Sequence, residues 1–354
     1  MTKVLTYHEI DQNQWQQLIE CSPYATWFQT LEAYQFYASV SDMQAFAYGV
    51  SEDDRLVGLV IGYTTIENCK FKQHFTARSI IVGGPLLADN ISDEALSALL
   101  KAAAQFKVES LKCKGKATSE AVTSALTPYT IHPTPIYIES RNFYDYSRWK
   151  YTFEQNGFAY QPHYDIHVHC NAEHQMSERR QRELKRAIKN GATVCEAQTE
   201  QEVRDWYQIL HRLYREKVRT PLFSEEFFLQ FYRNGVGKYL FVKHEGKVIG
   251  GMMCPVLNGK AIYEWYVCGQ DEEYRELSPS VVATHAAIEY AKENGLQLFD
   301  FMGAGVPDVP YGVREFKREF GGEMVEYGRF LCVRKPLLYK IGKLGVKLLK
   351  TKII

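Results

Sequence analysis

The chain lacks any run of 18 uncharged apolar residues, so the sequence predicts no membrane-spanning helix. Net charge is absent as well: 42 Lys and Arg balance 42 Asp and Glu, which excludes a global electrostatic pull on nucleic acid or lipid. Only two segments are strongly basic, Arg179 to Lys189 and Lys335 to Lys352. The eight cysteines, Cys21, Cys69, Cys113, Cys170, Cys195, Cys254, Cys268 and Cys332, contain no Cys-x-x-Cys pair. That spacing speaks against a zinc ribbon or redox dithiol and predicts reduced thiols. Met1 to Ile10 has no apolar stretch of signal-peptide type, so a cytoplasmic protein is expected. What is present is an ordinary globular composition, 45% hydrophobic and 24% charged. With 354 residues the chain outgrows a single core, which stops at roughly 250–300 residues, and two domains follow.

An internal repeat supports that division. Ala45 to Val50, a turn over Ser51 to Asp54, and Leu56 to Tyr63 read as a β-hairpin. Tyr239 to Val242, a turn at Glu245-Gly246, and Lys247 to Val256 read the same way. Arg55-Leu56-Val57-Gly58-Leu59 aligns with Lys247-Val248-Ile249-Gly250-Gly251. Each hairpin is followed by a strand (Ser79 to Val82; Ala261 to Cys268), a helix (Asp93 to Phe106; Pro279 to Asn294) and a further strand (Leu111 to Cys113; Leu298 to Met302). The same order twice, at a period too long for a solenoid, predicts a duplicated mixed α/β domain. The divisions expected are 1–155, 156–335 and a C-terminal helix at 336–354.

Between the copies Tyr160 to Asn171 alternates, with His163, Asp165, His167 and His169 on one face. Same-face residues on a strand are about 7 Å apart, too far to converge on one ion, so a solvated face and no metal are expected.

Several motifs carry a family resemblance. Ala25-Thr26-Trp27-Phe28-Gln29-Thr30-Leu31-Glu32-Ala33-Tyr34 resembles the opening motif of the FemABX peptidoglycan bridge-forming acyltransferases. Ser177 to Gly191 is similar to their basic helix entering the second domain. Tyr274 to Ser280, Phe299-Asp300-Phe301-Met302-Gly303 and Phe316 to Gly322 follow in family order. The resemblance implies two tandem GNAT-like domains with a cleft between them. It also implies attack of an amine on an aminoacyl-tRNA ester or an acyl-CoA thioester, used as co-substrate with no tightly bound cofactor. Two departures stand out: no coiled-coil insertion fits beyond Thr199 to Lys217, and a basic position the family uses on substrate phosphate appears as Gln35 or Tyr37.

Aminolysis needs a neutral amine, stabilisation of an oxyanion and a proton for the leaving group. Lys317, in the family-like motif, is the candidate electrostatic catalyst, with Asp300 orienting it or Arg314. Glu264 is a candidate base or a partner in a cross-strand salt bridge. Candidate substrate-binding residues are Arg314, Tyr311, Tyr263, Arg275, Ser278, Ser280, Trp27 and Gln29. Ser278-Pro279-Ser280 reads as a helix start able to favour an anion or merely capped, and the preceding Glu273 to Ser280 lacks the glycines of a CoA pyrophosphate loop. Arg179, Arg182, Arg186 and Lys189 share one helix face and are the candidate contacts to tRNA.

The expected function is transfer of an aminoacyl or acyl group to an amine on a cell-wall or polysaccharide precursor. Acetyl-CoA-dependent N-acetylation of a small metabolite or amino sugar is one alternative; a catalytically inactive tandem-GNAT binding protein at the inner membrane surface is the other. Leu337, Leu338, Ile341, Leu344 and Leu348 alternate at helical spacing with Lys340, Lys343, Lys347 and Lys350. That pattern predicts a basic amphipathic helix, packed on the second domain or lying on the inner membrane face.

Overall fold

Runs rich in Val, Ile and aromatic residues form the strands, because such side chains fit a pleated, half-buried surface. The computed structural model describes residues 1–65, 75–106, 134–171 and 175–351, with side chains as far as residue 344. The first half supplies β1 (Thr2–Thr6), β2 (Met43–Glu52), β3 (Arg55–Thr65), β4 (Ser79–Gly83), β5 (Leu86–Leu87), β6 (Tyr137–Asn142) and β7 (Ala159–Gln161). After these come β8 (Tyr164–His169), β9 (Thr193–Glu196), β10 (Gly237–His244), β11 (Lys247–Leu257) and β12 (Ala261–Tyr263). β13 (Tyr266–Gly269), β14 (Leu298–Asp300), β15 (Glu323–Glu326) and β16 (Arg329–Val333) complete the set. The strand expected at Leu111 to Cys113 lies outside the described residues.

Among the described residues the strands form two eight-stranded mixed sheets. One runs β1-β2-β3-β4-β6-β16-β7 with β5 also on β3; the other runs β9-β10-β11-β12-β14-β8-β15 with β13 also on β11. The two orders correspond strand for strand, down to a single parallel pair in each, β4 with β6 and β12 with β14. The duplication is visible at finer grain in the hairpins. Gly58 faces Val50 while Leu56 faces Ser51, leaving Val57 as the extra residue of a bulge. Gly250 faces Val242 while Val248 faces Lys243, so Ile249 is the extra residue in the aligned position. Both turns have two residues at positive φ, Asp53-Asp54 and Glu245-Gly246, as a two-residue hairpin of primed type requires. The single strand expected over Ala261 to Cys268 is broken at Glu264-Trp265 into β12 and β13.

The sheets do not divide at 155/156. β7 is the edge of the first sheet, and β8, two residues later, lies inside the second between β14 and β15. Pro162, which has no N–H for a ladder, stands at the crossing. The return is symmetrical: β15 is the edge of the second sheet, and β16 inserts into the first between β6 and β7. Each sheet therefore closes on a strand reached by a crossing of the chain.

Trp27, Phe28 and Phe36 of the first half pack against Phe227, Phe231 and Trp265 of the second, with ring centroids 5.1–6.1 Å apart. This shared aromatic core fuses the two domains into one apolar cluster. No described helix is long and apolar enough to cross a membrane. The C-terminal helix, Pro336–Thr351, does not pack its apolar arc on the second domain: Tyr339 stands edge-on to Tyr137 of β6, while Leu337, Ile341 and Leu344 are 72%, 57% and 59% exposed.

Candidate functional site

In the second sheet the parallel strands β12 and β14 run side by side as far as Tyr263 and Asp300, and the chain then parts to Glu264 and Phe301. Lys317, from the short helix Gly312–Arg318, reaches into that gap. Its Nζ lies 3.0 Å from Glu264 Oε1 and donates to the carbonyls of Phe301 (2.7 Å) and Gly303 (2.9 Å). Three acceptors use all three ammonium protons, so Lys317 has none left for an oxyanion in this arrangement. Its place is buried rather than open to a cleft. Glu264 is thus held in a salt bridge, but with this helix lysine rather than across strands as expected.

Asp300 orients neither Lys317 nor Arg314. One carboxylate oxygen accepts from Met302 N–H (2.6 Å), holding Met302 at φ +55; the other lies 3.4 Å from His167 Nε2. Arg314 is turned instead to the carbonyls of Ala304 and Val306. Asp165, two residues before His167 on β8, accepts from Gly303 N–H at 2.7 Å. Gly303 has φ +122, a conformation open to glycine, and it binds both Asp165 and Lys317 through its own backbone.

The face carrying Asp165 and His167 is therefore buried, not solvated; β8 is covered on both sides because it is an interior strand. His163 has left the face at the crossing and is half-buried, and His169 alone is exposed, beside Glu323. Ligand atoms of Asp165, His167 and Asp300 lie within 4.8 Å of one another, a donor set of the type that holds divalent ions. Protons balance the same charges. Burial opposes a charged His167, but Asp300 outweighs it and lifts the imidazole to about 9. Burial and then the Asp300 carboxylate push Asp165 well above the usual carboxylate range. Burial raises Glu264 too, against the pull of Lys317.

The remaining candidates are scattered. Tyr263, Trp27 and Gln29 are fully buried; Gln29 closes a structural network by accepting from Thr26 N–H and donating to the Gly84 carbonyl. Tyr311 and Arg275 are exposed, and the Arg275 carbonyl accepts from Arg186. Ser278 does not cap its helix: it sits at φ +39, and its hydroxyl donates to the Arg275 carbonyl. Asp271 caps instead, taking Ser280 N–H at 3.0 Å and the Ser280 hydroxyl. The anion-favouring helix start is thus filled by the chain's own carboxylate. On the basic helix, Arg179, Arg182 and Arg186 are exposed but already paired, with Glu183, Glu178 and Glu276 respectively, while Lys189 is exposed.

A cleft of about 1780 Å³ runs between the domains. Tyr63, Glu139 and Arg141 of the first sheet and Arg78, just before β4, line it from one side; Tyr214, Arg219, Trp265 and Tyr266 line it from the second domain. Leu338, Tyr339 and Lys343 of the C-terminal helix form part of its wall. Trp265 faces this cleft while its neighbour Glu264 turns inward to Lys317. Arg329 of β16 joins the two regions, donating to Glu139 (3.2 Å) and to His163 Nε2 (2.9 Å). Glu139, Arg141 and Arg329 were not singled out in the sequence, although Tyr137, Glu139 and Arg141 alternate along β6.

This is the fold of a tandem GNAT protein. Residues 176–318 match the family model described as acetyltransferase (GNAT) domain. Among curated proteins none matches the chain in sequence. In architecture it is similar to the crystal structure of FemX, with TM-score 0.65 at 14% identity over 96% of this chain and 99% of that one. It is also similar to L-PGS from Bacillus licheniformis (TM-score 0.54, 13% identity, 92% of each chain). A tandem GNAT protein from the clavulanic acid biosynthesis pathway gives TM-score 0.54 at 10% identity over 94% of this chain and 98% of that one.

Proposed function

We propose that this chain is an N-acyltransferase that moves an aminoacyl or acyl group onto an amine acceptor in the interdomain cleft. The cleft carries the reading: at about 1780 Å³ it exceeds a single small-ligand pocket of roughly 300–1,000 Å³ and has room for two partners. Its tyrosines and Trp265 offer flat apolar contact, and its arginines offer charge. Within this reading Lys317 is a positioning residue, fixing the carbonyls of Phe301 and Gly303 behind the cleft wall.

The donor we favour is an aminoacyl-tRNA, and the acceptor a cell-wall or polysaccharide precursor, as the FemABX resemblance implies. Asp271 supports the choice against acyl-CoA, since its carboxylate occupies the helix start where a pyrophosphate would otherwise be welcomed. The C-terminal helix, with exposed Leu337, Ile341 and Leu344 beside Lys340 and Lys343, suits a protein resting on an anionic membrane face. Thermal denaturation of the purified chain with aminoacyl-tRNA, acetyl-CoA or neither tests the donor. Stabilisation by charged tRNA alone is expected; stabilisation by acetyl-CoA alone overturns the choice of donor, and indifference to both supports an inactive binding protein.

A further inference from the structure

We propose that Asp165, His167 and Asp300 form a binding site for one divalent transition-metal ion of the zinc type, held between β8 and β14. The site is independent of the acyltransferase reading. Residues of one strand face alone do not converge on an ion, but two from β8 and one from the facing strand do. Asp300 stands directly opposite His167 in the antiparallel pair, and Asp165 lies two residues along the same face of β8. One donor atom from each falls within 4.8 Å of the other two. Asp300 is fully buried, and Asp165 and His167 keep 4% exposure each, enough to lie just beneath the surface. Two of the donors, His167 Nε2 and Asp300 Oδ2, have no hydrogen-bond partner among the described residues. They stand 3.4 Å apart. Tetrahedral bonds of about 2.0–2.2 Å put neighbouring ligand atoms about 3.3–3.6 Å apart, so the spacing of this pair suits an ion bound to both.

The carboxylates are already oriented by backbone donors. Asp300 Oδ1 accepts from Met302 N–H at 2.6 Å, and Asp165 Oδ1 accepts from Ile166 N–H and Gly303 N–H at 2.7 Å each. Metal-binding carboxylates are commonly fixed by such an outer layer of hydrogen bonds. Charge also favours a dication. Two carboxylates and a neutral imidazole carry two negative charges, while the neighbouring cations are already engaged, Lys317 by Glu264 and Arg329 by Glu139. Glu323, opposite His167 on β15, turns to the exposed His169. One imidazole nitrogen among carboxylate oxygens suits zinc and its neighbours, whereas magnesium demands an octahedron of oxygens. An ion here ties β8, the strand reached by the crossing at Pro162, to β14 and to the Met302-Gly303 turn that Lys317 also holds. The competing occupant is a proton shared by His167 and Asp300 across the same gap.

The test is calorimetric titration of the full chain, stripped of metal by a chelator, with zinc and with cobalt(II). One ion per chain is expected to bind with Kd below about 10 µM and to raise the midpoint of thermal unfolding. Cobalt should also give the strong visible absorption of a four-coordinate ion. Asp300→Asn keeps the oxygen that accepts from Met302 N–H but loses the carboxylate, and is expected to bind at least about 10-fold more weakly. His167→Gln should weaken binding in the same way, whereas His169→Gln, which removes the exposed histidine nearby, should bind as the wild type. No binding by the wild type at about 100 µM ion overturns the site and leaves the gap to the proton, whether or not the variants fold. Undiminished binding in both Asp300→Asn and His167→Gln, or its loss in His169→Gln, places the ion at the surface and overturns the site equally. Displacement of cobalt by equimolar magnesium overturns the part given to the imidazole.

Discussion

Lys317 is bound to Glu264, 3.0 Å away, and not to Asp300, although Asp300 lies in the neighbouring strand and its backbone carbonyl accepts from Glu264 N–H. Alternation in the strands explains it. β12 ends at Tyr263, and where the pair β12–β14 opens Glu264 is delivered to the gap, while the Asp300 side chain is drawn to Met302 N–H and His167 across the antiparallel β14–β8 pair. The two carboxylates thus serve different partners.

The Lys317–Glu264 pair is buried, with side chains 9% and 3% exposed. Removing one partner of such a pair strands the other charge, at a cost of about 3–5 kcal/mol. Lys317→Ala is therefore expected to lower the unfolding free energy, read from chemical denaturation, by that amount. Lys317→Met combined with Glu264→Gln should recover most of the loss. Equal stability of Lys317→Ala and wild type would show that the pair is not formed.

Stability should depend on pH, being greatest in mildly acid solution, no higher than about pH 6.5, and falling above it. His167 titrates higher in the folded chain, about 9, than the ordinary histidine value near 6.5, so its contribution is complete below 6.5 and lost as pH rises through 9. Asp165, raised by burial and Asp300, acts in the same direction, because the folded chain holds its proton longer than the unfolded one. His163 acts oppositely: depressed to about 3, it is forced to stay neutral in the fold, and stability falls as pH drops below 6.5. Urea denaturation from pH 4 to 9.5 checks this, and His167→Gln should flatten the alkaline limb. A steady rise in stability up to pH 9 would contradict the placement of His167 beside Asp300.

The strand crossings make the halves interdependent. A fragment of residues 1–155 lacks β7 and β16, and one of 156–335 carries that pair cut off from β6 and the rest of the first sheet. Each fragment alone is expected to be insoluble or to lack cooperative unfolding, and co-expression should restore a soluble complex. Independent cooperative folding of residues 1–155 would show that β16 is dispensable.

The duplication was legible in the sequence because its markers are local: Val57-Gly58 and Ile249-Gly250 follow the same two-residue turn, and the bulge repeats with them. The exchange of β8 and β16 was not, since strand pairing over more than 100 residues leaves no local pattern. Asp165 and His167 were noticed by their alternation, but a charged face on a central strand looks the same in sequence as a solvated one on an edge. Burial there depends on β14 and β15 flanking β8. Ser278 looked like a cap because of its type and spacing; Asp271 does that work from nine residues before Ser280, across a loop whose path the sequence does not disclose.

The C-terminal helix gives the last prediction. At about 100° per residue Leu337, Ile341, Leu344 and Leu348 fall on one arc, and Lys340, Lys343, Lys347 and Lys350 fall together beside it. Leu338 and Tyr339, on a third side, face the cleft and Tyr137. The helix is thus fastened by one side while Leu337, Ile341 and Leu344 stay in water, an arrangement that disfavours the monomer in solution and favours insertion into an interface. Each lysine near an anionic leaflet adds about 1 kcal/mol, so four add about 4 kcal/mol before any apolar gain. The full chain is expected to float with phosphatidylserine vesicles at low salt and to be released as salt screens the lysines. Leu337→Gln, Ile341→Gln and Leu344→Gln together leave Tyr339 and the cleft wall intact, and should abolish flotation without lowering stability. If the wild type and this triple variant distribute alike across the gradient, the exposed arc is not a membrane contact. If flotation is lost only in the variant, the cleft mouth beside Lys343 is held at the bilayer surface, within reach of a lipid-linked acceptor.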